Sequence, residues 1–328
     1  MTPLTLSIHN EDWPARAVFR ITGATFDSFP AVVVELSDGE HVGQGEAQGV
    51  FYFDETPSTM AAQIEAVAEE LEAGASRVDL LDLLPSGGAR HAVDAAMWDL
   101  EAKQAGRRVW QLAGLDLKPI VTVMTIGIED TPEAMAAKAA AAADNPVLKV
   151  KLDADRPVER IEAIRAARPD ARLVIDANQG WSFTQLREVA PRLRELGVGM
   201  VEQPLPRGGD EALEGFDSPL PLCADESCVH IGELEEAVRR YQMINIKLDK
   251  CGGLSAGLEL ARAAKELGLG LMVGCMGGTS LAMAPGFVVG LVCDFHDLDG
   301  PLLLKNDRPF GMTYHRGRVG PPAARLWG

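Results

Sequence analysis

Cysteine is scarce and poorly placed for bridging. The five residues Cys223, Cys228, Cys251, Cys275 and Cys293 are odd in number and form no CxxC pair. That speaks against a disulfide frame and for a reducing, cytoplasmic compartment. No stretch approaches the roughly 18 apolar residues of a membrane helix, and the run Ala136–Ala143 is only helix-favouring sequence. Met1 to Asn10 lacks the basic start and long apolar run of a secretory signal. Basic charge is in deficit, with 31 Lys+Arg against 48 Asp+Glu and a net charge of -17. Nucleic acid and anionic membrane are therefore not expected partners. A GxGxxG opening a helix after a first strand is missing too, which leaves a dinucleotide-binding doubly wound sheet without its usual signature.

What is present suits a soluble globular chain. Its 328 residues, 47% hydrophobic and 24% charged, suffice for one large barrel or two domains with a sizeable core. Residues 1 to about 52 read as β. Leu4–Ile8 alternates, a turn-rich gap follows, and Val32–Leu36 returns through the Asp38-Gly39 turn to Val42–Glu46. Helical patterns cover Ser58–Ala73 and His91–Gly106, making a compact α+β unit. From Pro119 the rhythm changes. Apolar runs at Ile120–Ile126, Val147–Leu152, Leu173–Asp176, Met200–Glu202, Leu220–Asp225, Ile244–Lys247, Leu271–Gly274 and Cys293–Leu298 alternate with six helical segments. Eight strands alternating with helices predict an α/β fold of the (β/α) barrel kind. The Pro- and Gly-rich segment from Leu303 to Gly328 is expected to return to the N-terminal unit.

Leu148-Lys149-Val150-Lys151-Leu152 puts two lysines on one face of a buried strand. Strand propensity gives no reason for that pairing. In a closed site, mutual repulsion and desolvation favour a neutral amine that can act as a base. Barrel sites lie at the C-terminal ends of strands, and there the chain places Lys151, Asp176, Glu202, Asp225 and Lys247 at intervals of 22 to 26 residues. Three converging carboxylates repel one another and need a cation. All-oxygen ligation suits Mg²⁺. Lys151 and Lys247 would then flank a metal-bound carboxylate substrate. One takes the α-proton, the metal stabilises the enediolate, and the other returns a proton to the opposite face. Such a 1,1-proton transfer is racemisation or epimerisation.

Taken together, Lys149-x-Lys151, Asp176-Ala177-Asn178, Glu202-Gln203-Pro204, Asp225-Glu226-Ser227 and Asn245-Ile246-Lys247 resemble the enolase superfamily. The likeness spans essentially the whole chain and is strongest to the muconate-lactonizing subgroup. It implies a modified TIM barrel, (β/α)7β, over 116–302, with an N-terminal α+β capping domain over 1–115 completed by 303–328. By the same resemblance Asp176, Glu202 and Asp225 are the Mg²⁺ ligands and Lys151 and Lys247 the acid/base pair; Lys149, beside Lys151 on the strand, is the expected supporting residue. Asp297-Leu298-Asp299-Gly300-Pro301 looks like the paired-aspartate motif that holds the α-ammonium of a dipeptide in dipeptide epimerases. The loop Gly274–Ser280 resembles their seventh-strand loop, whose glycines bring backbone N–H groups to a substrate.

Asp297, Asp299, Thr125, Gly277, Thr279, Phe51 and Phe53 are accordingly the expected substrate-binding residues. Alanyl-glutamate epimerases carry an arginine in the first mobile loop of the cap. Here Thr22–Asp27 offers none, and Arg20 sits earlier, within a strand. Phe51, Tyr52 and Phe53 favour an apolar or aromatic C-terminal residue in the substrate, whereas Asp54 or Glu55 would favour a cationic one. The implied activity is Mg²⁺-dependent conversion of L,L- to L,D-dipeptides. N-acylamino acid racemase, o-succinylbenzoate synthase, muconate cycloisomerase and a non-catalytic ligand-binding barrel stand as alternatives. Leu271–Gly278 contains no histidine, which argues against the acid-sugar dehydratases of a related subgroup. The expected partner is a small-molecule substrate, with a homo-oligomer left open.

Overall fold

The computed structural model describes residues 3–328. Three antiparallel strands open the chain: β1 (Thr5–Ile21), β2 (Ala24–Ser37) and β3 (Val42–Ala47), in that spatial order. β1 and β2 are far longer than the alternation in the sequence predicts. The supposed turn-rich gap is strand, folded back at the two-residue turn Thr22-Gly23, where Gly23 takes φ 76°. Pro14 falls within this stretch. It lies on an edge strand, where proline is tolerated, and the register shifts between Pro14 and Phe19.

Five helices follow: α1 (Pro57–Glu65), α2 (Ala68–Glu72), α3 (Leu80–Leu83), α4 (Gly88–Ala105) and α5 (Val109–Leu112). The single helix expected over Ser58–Ala73 is interrupted between α1 and α2. α4 stops at Gly106, whose left-handed φ of 61° closes the last turn. Almost all of α4 is buried, because β3 lies against one side of it and the second half of the chain against another.

That second half supplies β4 (Ile120–Val121), β5 (Met124–Ile126), α6 (Pro132–Ala141), β6 (Val147–Lys151), α7 (Pro157–Ala167), β7 (Arg172–Asp176), α8 (Phe183–Glu195) and β8 (Val198–Glu202). It continues through β9 (Leu222–Ala224), α9 (Leu234–Arg240), β10 (Met243–Lys247), α10 (Leu248–Cys251), α11 (Leu254–Glu266), β11 (Gly270–Gly274), α12 (Ser280–Gly290), β12 (Phe295–His296) and α13 (Gly300–Leu303). β5 to β12 form one eight-stranded parallel sheet in chain order. Its two ends are linked by a hydrogen bond from Val123 N to His296 O, 2.9 Å. The expected (β/α)7β architecture is thus present, with only the 3₁₀ turn Glu211–Leu213 between β8 and β9. The first expected strand, Ile120–Ile126, splits: β4 leaves the sheet and pairs with β14 (Arg318–Val319), which in turn pairs with β13 (Tyr314–His315).

The sheet curls around a layer of Val123, Val174, Met200, Cys223, Met243 and Met272. A larger apolar shell lies between strands and helices, and the cap has its own core around α4. Because side chains alternate along a strand, the residues two positions beyond Val174, Met200 and Cys223 point the same way, one step nearer the strand ends. Those residues are Asp176, Glu202 and Asp225. The chain end returns to α4, where the Trp327 indole donates to Ala95 O at 3.1 Å. Among the described residues, no helix is long and apolar enough to cross a membrane.

Candidate active site

The parallel register aligns the ends of three adjacent strands: Lys151 is opposite Asp176, and Asp176 is opposite Glu202. Asp225 follows β9, and Lys247 ends β10. Asp176, Glu202 and Asp225 are buried, and one carboxylate oxygen from each lies within 4.8 Å of the others. Lysines surround this cluster. Lys151 Nζ is 2.6 Å from Asp176 Oδ2, and Lys247 Nζ is 2.8 Å from Asp225 Oδ2. Lys149 Nζ contacts Asp176 at 3.0 Å, Glu202 at 2.8 Å and Asp297 at 2.6 Å. Lys250 of α10 is a further cation on Asp225, and no pattern in the sequence singles it out.

The two strand lysines do share a face, as expected, but Lys149 is no candidate for a neutral amine. Burial lowers its pKa, yet Asp176, Asp297 and Glu202 outweigh burial and hold the ammonium well above its ordinary value. Burial also works against the Lys247 ammonium, and Asp225 overrides it in the same sense. Asp176 is drawn down to about 2: burial raises it, and Lys149 and Lys151 more than compensate. Glu202 goes the other way, to about 7, through burial and the nearby charge of Asp176.

The donor set fits a hard divalent cation. Glu202 Oε2 is buried and has no hydrogen bond, although Lys149 Nζ is close, and its pKa is raised by burial first and then by the crowding of negative charge from Asp176. A magnesium ion held by Asp176, Glu202 and Asp225 would relieve that crowding. Asn245 Nδ2 orients Glu202 through a 2.7 Å bond to Oε1.

Above the cluster lies a cavity of about 260 Å³. Lys151 and Lys247 line it, as do Thr125, Gly277, Asp297, Asp299 and Phe51 among the expected substrate contacts. Thr125 N donates to Asp299 Oδ2 at 2.6 Å. Burial and the adjacent Asp297 raise the Asp299 carboxyl to about 7. Beyond the expected substrate-binding set, Phe19, Ile21, Phe26 and Phe29 of the hairpin, Tyr52, Asn178, Gln179 and Glu226 also line the cavity. Phe19, Ile21 and Phe29 lie in the segment read as a turn-rich gap, and Phe26 in the loop Thr22–Asp27. Tyr52 Oη is buried without a partner.

Two expected contacts lie elsewhere. The Thr279 hydroxyl is bonded to Glu46 and accepts from Leu281 N as the N-cap of α12, so it does not line the cavity. Phe53 is 46% exposed and faces Arg207 rather than the cavity. The glycine-rich loop also differs from expectation. Thr279 N donates to Glu46 Oε1 at 2.9 Å, and Gly278 N is 3.3 Å from the Gln48 amide oxygen in the orientation that satisfies both groups. These N–H groups bind the cap instead of facing a ligand. Gly277, at φ 123°, is needed for that close approach, since a Cβ there would lie 2.8 Å from a Phe29 ring carbon. His296 packs at the barrel rim, with Nε2 2.9 Å from Gly290 O.

A parallel barrel offering two amines around a buried triad of carboxylates is the framework of a metal-assisted acid–base enzyme. The chain belongs to the mandelate racemase / muconate lactonizing enzyme family of the enolase superfamily. Residues 4–114 match that family's N-terminal domain, and 133–323 match the enolase C-terminal domain-like family. An N-acetyl-D-glutamate racemase from Pseudoalteromonas sp. is 42% identical over 303 residues, which cover 90% of this chain and 95% of the relative. An L-Ala-D/L-Glu epimerase from Escherichia coli K12 is 42% identical over 318 residues, covering 96% and 99%. A solved enolase family member from Agrobacterium tumefaciens, with homology to dipeptide epimerases and with sodium and L-Ala-L-Glu bound, superposes with a TM-score of 0.96. Its sequence is 41% identical, and the match covers 99% of this chain and 100% of that one.

Proposed function

We propose that the chain is a Mg²⁺-dependent dipeptide epimerase that interconverts L,L- and L,D-dipeptides by 1,1-proton transfer. The observation that carries the reading is one cavity lined by Lys151 and Lys247, with the buried triad of carboxylates below and Asp297 and Asp299 beside it. Asp176, Glu202 and Asp225 would hold the magnesium ion. When bound, it supplies positive charge against which the substrate carboxylate can take up the electrons left as the α-proton departs.

The remaining work falls to the side chains. Lys151 and Lys247 each approach the triad through a different acid, Asp176 or Asp225, so each has a defined position before substrate arrives. One, as the free amine, breaks the α-carbon–hydrogen bond and becomes an ammonium. The other, starting as an ammonium, gives its proton to the opposite face and becomes the amine. No proton or electron is gained overall, and reversal runs through the same pair with exchanged roles. Lys149 stays charged and fixes Asp176, Glu202 and Asp297 relative to one another. Asp297 and Asp299 form an anionic end that suits the α-ammonium of a dipeptide better than the neutral acyl group of an N-acylamino acid.

Deuterium exchange tests the reading. The protein is incubated with Mg²⁺ in D₂O and a set of dipeptides, with N-acetyl- and N-succinylamino acids in parallel, and the mass is followed. Gain of one mass unit in dipeptides, abolished by chelation and lowered by about 10²–10⁴ in Lys151→Ala or Lys247→Ala, supports it. Exchange confined to the N-acylamino acids would replace it with the racemase alternative.

A further inference from the structure

We propose that the residue epimerised carries an uncharged, apolar side chain, leucine- or phenylalanine-like rather than glutamyl, which packs beneath the tip of the first hairpin. This rests on the dipeptide reading and separates the chain from the two 42%-identical relatives named for glutamate substrates. The cap side of the cavity is mainly apolar: beside Thr22, Gly23 and Tyr52 it presents Phe19, Ile21, Phe26, Phe29 and Phe51. Their rings support one another: Phe26 and Phe29 stack at 5.9 Å, and Phe51 meets Phe26 edge-on at 5.5 Å.

No charged residue of the cap lines the cavity, and Arg20, Arg207, Glu55 and Asp54 are engaged or turned away. Arg20 lies on the same hairpin, but its guanidinium is 2.9 Å from Asp130 and does not line the cavity. Arg207 pairs with Glu233 at 2.5 Å. The Glu55 carboxylate accepts from Val50 N at 2.7 Å and Gly88 N at 3.0 Å, which removes it as a partner for a cationic side chain. Asp54 occupies the turn at a left-handed φ of 59° and lies outside the cavity lining.

The cations lining the cavity are Lys151 and Lys247, already paired with Asp176 and Asp225. Its remaining ionisable carboxyls, Glu226, Asp297 and Asp299, are acids. A substrate side-chain carboxylate would therefore lose its water against aromatic rings, with no countercharge and with acids close by. An aliphatic or aromatic side chain would instead gain from the same burial.

The full-length protein with Mg²⁺ in D₂O is given L-Ala-L-Phe, L-Ala-L-Leu, L-Ala-L-Glu and L-Ala-L-Lys, and kcat/KM for exchange is measured for each. L-Ala-L-Phe or L-Ala-L-Leu is expected to lead L-Ala-L-Glu and L-Ala-L-Lys by about tenfold or more. L-Ala-L-Glu at parity or ahead overturns the proposal alone, and so does L-Ala-L-Lys. Exchange with no dipeptide overturns it together with the dipeptide reading. Two variants test the cap directly. Phe26→Arg near the hairpin tip and Phe51→Arg, at a side chain 45% exposed, each put a cation over the cavity. Either should shift the Glu-to-Phe ratio of kcat/KM toward glutamate by about tenfold, and a folded variant with an unchanged ratio counts against the assignment.

Discussion

Glu226 on the cavity wall is raised to about 8 by burial and Asp225, and Glu202 and Asp299 also titrate near neutral pH. The latter two are each raised to about 7, Glu202 by burial and Asp176, Asp299 by burial and Asp297. Both are protonated below that value and ionised above it. Magnesium needs Glu202 ionised, so binding must expel its proton. Below pH 7 the apparent affinity should weaken by up to about tenfold per pH unit. Calorimetric titration of Mg²⁺ at pH 6 and pH 8 should give tighter binding at pH 8 and proton release at pH 6. Equal affinity at both would remove Glu202 from the ligand set. Tyr52 makes a second prediction. Its hydroxyl is buried without a partner on a cavity wall that also includes Glu226 and Lys247. An unsatisfied buried O–H is costly, and a substrate acceptor is the natural partner. Tyr52→Phe keeps the ring and its edge contacts with Phe51 and Phe53. It should lower kcat/KM by about fivefold, the loss of roughly 1 kcal/mol of hydrogen bonding, with no fall in melting temperature. A change in stability without a change in kcat/KM would mark the hydroxyl as structural.

Among the elements, those that meet only their sequence neighbours were the legible ones. β6, β7, β8 and β10 are short, mostly apolar and each followed by its own crossover, so they could be read locally, and the charge at each end stood out against them. The cap was harder, since its strands are defined by partners far along the chain. β1 is polar on its open side and interrupted by Pro14, and only pairing with β2 makes it a strand. Thr279 shows the same limit at a loop. Its motif was recognised, but Glu46, more than 200 residues earlier, takes the hydroxyl. The packing of β3 on α4 is a further long-range demand that local pattern hides. A Cβ on Gly45 would lie 2.1 Å from Ala92 O and 2.8 Å from Ala96 N, both backbone atoms of α4. Gly45→Ala must push the strand off the helix and should cost about 1–3 kcal/mol in a urea melt. Activity should fall as well, because β3 leads directly into Gln48 and the Phe51–Tyr52 turn over the cavity. Gly39→Ala, with nothing near its Cβ but a φ of 92°, separates close packing from backbone strain. It should be the milder change for activity.

Across the whole molecule, cap and barrel are joined by buried polar groups rather than by apolar contact alone. Asp249, just beyond Lys247, accepts from Gln48 N and Gly49 N at 2.9 Å each. Arg90 of α4 donates to Cys251 O at 2.7 Å and Gly252 O at 3.0 Å. The densest link is Glu46, which is fully buried and tied to Thr279 of the barrel loop and to Arg308 of the C-terminal segment, with Arg308 Nε at 2.9 Å. Arg308 also reaches Glu11 on β1. Burial raises the Glu46 carboxyl above its ordinary value even with Arg308 and Thr279 opposing. Arg308→Met removes the main opposing charge and raises it further. A carboxyl raised in the folded state contributes stability that is present at low pH and lost as pH rises through the folded pKa. The variant's deficit should therefore be smaller at pH 5 than at pH 8, because a Glu46 that takes a proton no longer needs the cation. At pH 8 an ionised Glu46 has lost its buried partner, and the deficit should grow to about 3–5 kcal/mol. Adding Glu46→Gln to Arg308→Met removes the charge and should make the deficit independent of pH. Urea melts of the two variants at both pH values measure this directly. A pH-independent deficit in Arg308→Met alone would mean that Arg308 holds the three segments together by packing, with the Glu46 charge incidental.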